Sequence, residues 1–152
     1  MVLSLTKTPP ANAFVSKADK HQPQEAFPLE LFFCENCTHV QLLDIVDPSV
    51  LFADYVYVSG TSPVFIEHFK SYTADILNRY KPPANSLIVD IGSNDGTLLG
   101  FFKEAGMSVL GIDPARDIAA QANKSGIETL TEFFTPELAQ SIHKNKGSAQ
   151  VI

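Results

Sequence analysis

The chain has 152 residues, 45% of them hydrophobic and 18% charged, with a formal net charge of −6. This composition excludes a disordered polymer, and the acidic balance speaks against nucleic acid, whose phosphates need a basic face. No apolar run reaches the ~20 residues that span a bilayer, and MVLSLTKTPP lacks the basic start and apolar core of a signal peptide, so a cytoplasmic protein without membrane contact is expected.

Residues 1 to about 50 carry Pro9, Pro10, Pro23, Pro28 and Pro48 among short β-prone runs, LELFFC and HVQLLDIV. That texture predicts a loop-rich unit with small strands. PVFIEHFKSYTADILNRY follows, with Phe65, Phe69, Tyr72, Ile76 and Tyr80 three and four residues apart. The spacing predicts an amphipathic helix with Pro63 at its start and KPPANS at its end.

From there the pattern alternates. SLIVDIG, MSVLGID and IETL read as strands, and GTLLGFFKEAG, PARDIAAQANKSG and TPELAQSIHKNKG as helices, each closed by glycine. Thr135 suits an N-cap and Pro136 the first helical position. SAQVI begins a fourth strand. Strands alternating with helices predict a parallel sheet with crossover helices, here a partial doubly wound one. The expected division is an incomplete N-terminal unit over residues 1–62, a linking helix over 63–84 and half of a Rossmann-like domain over 85–152. With the sheet half built, the chain is expected to be cut from a longer one. No feature specifies an oligomeric state.

The two cysteines, Cys34 and Cys37, stand two residues apart in CENC. That spacing suits a metal knuckle or a redox pair better than a structural disulfide. Two thiolates do not close a tetrahedral zinc site, which takes four ligands. His21 and His39 are the nearby candidates to complete it, and each reads more simply as a surface or strand histidine.

The stretch LIVDIGSNDGTLLGFF carries the chemistry. Gly92 and Gly96 bracket Ser93, Asn94 and Asp95 between the first strand and its helix. Such a turn lets a ligand approach the backbone at a helix N-terminus with free amides. Asp90 ends the first strand and Asp113 the second, where an acid can accept hydrogen bonds from ribose hydroxyls. Acid, glycine turn and second acid describe an adenosine-containing ligand. The spacing departs from the G-x-G-x-x-G of dinucleotide sites. A carboxylate at Asp90 would repel a pyrophosphate and attract a cation, which favours S-adenosylmethionine (SAM) over NAD. The plain structural alternative has Asp90 and Asp113 capping the segments that follow them.

VDIGSNDGTLL followed by GIDPA resembles the first two motifs of class I SAM-dependent methyltransferases. LSLTKTPPANAF, PLELFFCENCTHVQL, DYVYVSGTS and IGSNDGTLL, in this order, resemble the C-methyltransferases of nucleotide-linked keto-sugars. Members of that family have an N-terminal zinc-binding domain, a SAM-binding domain and a further C-terminal domain. The resemblance implies that Cys34 and Cys37 are half of a zinc site whose second C-x-x-C would lie upstream of Met1. It implies that Asp90 and Gly92 hold the methionine part of SAM with Ser93, Asn94 and Gly96 around it. Asp113 would take the ribose, and Pro114 and Ala115 would border the adenine, with Glu132 and Phe133 as weaker flanking candidates. Tyr55 and Ser59 would line the cleft near the methyl and the sugar, with Tyr55 able to bond an enolate oxygen; the bland alternative has these aromatics filling a gap between units. The family's base, a histidine, would lie beyond Ile152, and neither His68 nor His143 is assigned that role. Asn94 stands where generic methyltransferases carry glycine. The competing readings are a fragment of an NAD(P)-dependent oxidoreductase and a non-catalytic metal-knuckle interaction module with a degenerate Rossmann half.

Overall fold

The computed structural model describes all 152 residues. They form two compact units, Met1–Ala53 and Asp54–Ile152. No helix is long and apolar enough to cross a membrane.

The first unit holds β1 (Leu3–Thr8), β2 (Phe27–Phe33), β3 (Val40–Leu42) and the short helix α1 (Pro48–Phe52). The strands form an antiparallel sheet in the order β1-β2-β3. Leu3 pairs with Leu31 and Leu31 with Leu42, while Leu5 faces Leu29, so leucines line up across neighbouring strands. Such cross-strand pairs stabilise a sheet locally. No residue of this unit is buried, and Leu3 and Leu5 remain 46% and 51% exposed. Sequence reasoning did not find β1 or α1. Leucine alternation at Leu3 and Leu5 was the available signal for β1, and Asp47 followed by Pro48 was the signal for α1. There the Asp47 side chain accepts from Ser49 N, closing the helix start.

The second unit runs α2 (Pro63–Tyr80), β4 (Leu87–Ile91), α3 (Thr97–Glu104), β5 (Ser108–Ile112), α4 (Arg116–Lys124), β6 (Thr129–Leu130) and α5 (Pro136–Lys146). Its sheet is parallel in the order β4-β5-β6, with Ile88 opposite Val109 and Gly111 opposite Thr129. Val151 bridges in parallel to Ile88 on the free side of β4. The spatial order is therefore β6, β5, β4, then the segment at Val151. The chain reverses its direction of progress at β4, the arrangement of a partial Rossmann-like sheet.

Alternation along β4 sends neighbours to opposite faces. Ile88 packs with Leu99 and Phe102 of α3, Ala122 of α4 and Ile127 on one face. Val89 joins Leu110, Ile112 and Ile142 of α5 on the other. Helices thus cover both faces, and the two cores meet across one strand. The caps stand where the sequence puts them: Thr135 Oγ1 accepts from Leu138 N, and Gly147 follows α5.

The helix α2 forms over the expected residues, but its packed face is not the expected one. Ile76 and Leu77 contact the core and Thr73 is buried, whereas Phe65, Tyr72 and Tyr80 are exposed. Aromatic residues at helical spacing mark a stripe without saying which stripe is covered. Here the narrower aliphatic side fits against α3. The rings left outside make their own contacts, Phe65 with Phe69 at 5.9 Å and His68 with Tyr72 at 6.2 Å between centroids.

Gly96 opens α3 with φ +77°, and a Cβ there would come within 2.9–3.1 Å of the Ile127 side chain. We expect Gly96→Ala to cost about 1–3 kcal/mol, from left-handed strain and the Ile127 clash together. Urea denaturation monitored by circular dichroism measures this.

Candidate functional site

The carboxyl ends of β4 and β5 gather the acids and the glycine turn. Gly92, at φ +79°, donates its N–H to Ile112 O at 2.7 Å, and Ser93 N donates to the same oxygen at 3.2 Å. The turn is thereby folded down onto the end of β5. Gly92 itself is exposed, with no atom within 4 Å of where a side chain would stand, so its backbone is open to a ligand.

Asp113 is buried, and both carboxylate oxygens are engaged. Oδ2 accepts from Asn94 N and Oδ1 from Ala115 N, each at 2.8 Å. The same side chain therefore braces the glycine turn and caps the approach to α4. This is the structural role weighed above for Asp113, and each oxygen keeps a lone pair for one further donor.

Asp90 differs. It is half-buried and accepts no hydrogen bond from the protein. Burial, and then the nearby Asp113 carboxylate, push its pKa above the ordinary carboxylate value. An acid left unpaired beside another acid is poised for a cation or a hydrogen-bond donor from outside the fold.

The remaining sequence-predicted residues divide. Ser93 lies in the turn, but its side chain is buried and its hydroxyl has no partner, so only its backbone can face a ligand. Asn94 adopts φ +51° and spends its amide within the protein: Oδ1 accepts from Ser59 N and Nδ2 donates to Tyr57 O, both at 2.8 Å. Ser59 is thus brought beside the turn. Tyr55 and Tyr57 stand with ring centroids 6.5 Å apart. Pro114 follows Asp113 and is partly covered, Ala115 is buried, and Glu132 and Phe133 are exposed. His68 and His143 lie exposed on α2 and α5. Asp95, which sequence reasoning passed over, accepts from Gly60 N at 2.9 Å through Oδ2 and from Thr97 N and Oγ1 through Oδ1. A hydrogen bond spanning 35 residues leaves no local trace; the only hint was two glycines around three small polar residues where one glycine would make the turn. A cavity of about 780 Å³ opens at the opposite end of the strands around Leu87, Ser108 and Glu128, with neither acid in its lining.

In the first unit, Cys34 and Cys37 flank a tight turn between β2 and β3. Cys34 N donates to His39 O at 2.9 Å, and Thr38 N donates to Cys34 O at 2.8 Å. The backbone N–H groups of Cys37 and Asn36 point at the Cys34 sulfur and, with the Cys37 thiol, lower its pKa. That is how a turn favours thiolate, the form that binds metal. The donor set nevertheless stops at two: no group of three or more His, Cys, Asp or Glu side chains is placed to hold a metal ion. Structural zinc takes four ligands. The chain alone does not fit a closed zinc site, and neither His21 nor His39 completes one.

Known proteins agree with the methyltransferase resemblance. Residues 1–52 match the family model described as "Putative zinc binding domain". One relative is the C-methyltransferase NovU of Streptomyces niveus, 33% identical over 151 residues, a match that takes in 99% of this chain and 36% of NovU. The chain therefore spans about a third of that relative's length. A solved structure, the plantazolicin methyltransferase BpumL in complex with SAH, is 21% identical with a TM-score of 0.36, covering 45% of this chain and 29% of that one. That likeness is too slight to bear on fold or ligand.

Two outcomes follow from the ionisation of these groups. Asp90 holds its proton more tightly folded than unfolded, so its ionised form costs the fold stability. Asp90→Asn should raise the melting temperature at neutral pH, and the gain should fade as pH falls through the raised Asp90 value towards the unfolded one. For Cys34, the rate of alkylation by iodoacetamide should rise at lower pH than that of a free cysteine, read by peptide mass spectrometry.

Proposed function

We propose that the Asp54–Ile152 unit binds S-adenosylmethionine at the carboxyl rim of its sheet, as part of a C-methyltransferase acting on a nucleotide-linked keto-sugar. The observation that carries the cofactor is Asp90, an unpaired half-buried carboxylate beside the open backbone of Gly92. It suits the ammonium of the methionine part, while a pyrophosphate would be repelled. Asp113 is already held rigid by Asn94 N and Ala115 N, and offers its remaining lone pairs to ribose hydroxyls. The backbone of Gly92 to Gly96, with Ser59 beside it, makes the wall around the methionine part, and Pro114 borders the adenine. The similarity to NovU supports the C-methyl chemistry, and the keto-sugar follows from the ordered motifs described above.

When bound, SAM supplies an electrophilic methyl group. This chain's contribution is to bind, orient and exclude water. Asp90 fixes the charged end of the donor, Asp113 fixes the ribose, and together they set the direction in which the methyl points. Tyr55 is our candidate to hydrogen-bond an enolate oxygen of the sugar. Methylating carbon beside a ketone also needs a base, which we place outside residues 1–152. In the first unit, Cys34 and Cys37 supply two of the four ligands of a zinc knuckle, shaped by the turn amides, and no step of the reaction is routed through it. We expect the domain organisation to follow: a zinc-binding unit to about residue 62, the linking helix to 84, and the SAM-binding half from 85.

Isothermal titration of the chain with SAM, and separately with NAD, tests the ligand. SAM should bind and NAD should not; the reverse outcome would assign the rim to a dinucleotide. Asp90→Asn should weaken SAM binding by about 1.5–3 kcal/mol, the worth of a hydrogen bond to a charged group. Protons compete with the ammonium for Asp90, so affinity should decline as the solution is acidified through the raised Asp90 value. A flat pH profile would remove Asp90 from the ligand contact.

A further inference from the structure

The segment from Asp54 to Gly60 is fastened at both ends to the loops that leave the sheet. At one end Arg116, the first residue of α4, forms an ion pair with Asp54. At the other, Asn94 holds Tyr57 O and Ser59 N, and Asp95 holds Gly60 N. The segment therefore runs from the loop after β5 to the loop after β4, along the rim that carries Asp90 and Asp113. The two fastenings differ in strength. The Arg116–Asp54 pair is solvent-exposed, with side chains 65% and 81% accessible, and pairs of that kind contribute little. The Asn94 and Asp95 bonds are three in number: those to Ser59 N and Gly60 N are part-buried, the Asp95 one charge-assisted, and that to Tyr57 O is exposed.

Sterics agree with the hydrogen bonds. A Cβ on Gly60 would stand 2.5 Å from Asp95 Oδ2 and 2.7 Å from Thr97 Oγ1. Residue 60 is thus glycine because the backbone is drawn against the turn. Asn94 pays for its left-handed backbone less than most side chains would, since asparagine tolerates that region. Two of the three residues between Gly92 and Gly96 are accounted for in this way: Asn94 and Asp95 grip a second piece of chain.

We propose that Asn94 and Asp95 are positioning residues, which pin residues 57–60 as a fixed wall of the SAM site. The proposal rests on the SAM reading above. It assigns to the turn a second task besides offering its backbone to the ligand, and makes the rim a composite of two segments 35 residues apart in sequence.

The test uses the 152-residue chain, two disrupting variants and one partial rescue, all of which leave both strand-end carboxylates in place. Asn94→Gly keeps the left-handed backbone and removes both side-chain bonds. Gly60→Ala keeps the side chains of Asn94 and Asp95 and wedges the segment away from them. Amide hydrogen exchange over residues 57–61 should accelerate about tenfold or more in each, the loss of one or two net hydrogen bonds, while β5 amides keep their protection. SAM affinity should fall about tenfold in both, and Asn94→Asp, which retains an acceptor for Ser59 N, should recover part of it. Unchanged exchange over 57–61 would overturn the fastening. Faster exchange with unchanged SAM affinity would overturn the positioning role. A wild-type chain that takes up no SAM would sink the ligand reading itself, and is seen before any variant is made.

Discussion

Two carboxylates brought to one rim of a parallel sheet repel each other, and burial sharpens the repulsion. The chain resolves this unequally. Asp113 takes the backbone N–H groups of Asn94 and Ala115, so its charge is compensated by the glycine turn and by the approach to α4. Asp90 receives nothing from the fold and carries the residual cost. The turn's geometry depends on this division, because the bond from Asn94 N to Asp113 holds the loop over β5. That in turn presents the Asn94 and Asp95 side chains to residues 57–60. A single electrostatic asymmetry thus links strand ends, turn and rim segment.

The reversal of chain progress at β4 explains why the rim stands where it does. The crossovers through α3 and α4 carry the chain from β4 to β5 and β6, while α5 returns it to the other side of β4 at Val151. In open α/β sheets such a reversal is where ligands bind, outside the carboxyl ends of the strands, and Asp90 lies near the carboxyl end of β4, the strand at the reversal. The cavity at the amino ends of the strands is lined by none of these acids.

Much of the second unit was legible because its signals are local. Thr135 and Pro136 start a helix and Gly106, Gly126 and Gly147 follow the ends of helices, each by the backbone chemistry of that one residue. The short apolar runs between them could only be strands. What was not legible depends on packing at a distance. Tyr72 and Ile76 lie on one helical stripe in the sequence, yet Ile76 packs on the core and Tyr72 stays outside, because α3 selects the aliphatic side. Ser93 reads as a polar lining residue, and only the closeness of β5 puts its hydroxyl inside. Asn94 reads as part of a ligand turn, and its amide goes instead to Tyr57 and Ser59. In the first unit, the prolines beyond Thr8 signalled loop strongly enough to mask the leucine alternation of β1.

The absence of any buried residue before Asp54 has a calorimetric consequence. Heat capacity and denaturant sensitivity both scale with the apolar surface released on unfolding. The leucine rows of β1, β2 and β3 already meet solvent over much of their area, so melting that sheet releases less surface per residue than melting the layers around β4. The heat absorbed by the whole chain will therefore be dominated by residues from Asp54 onward, and the antiparallel sheet can fray with little thermal signature of its own.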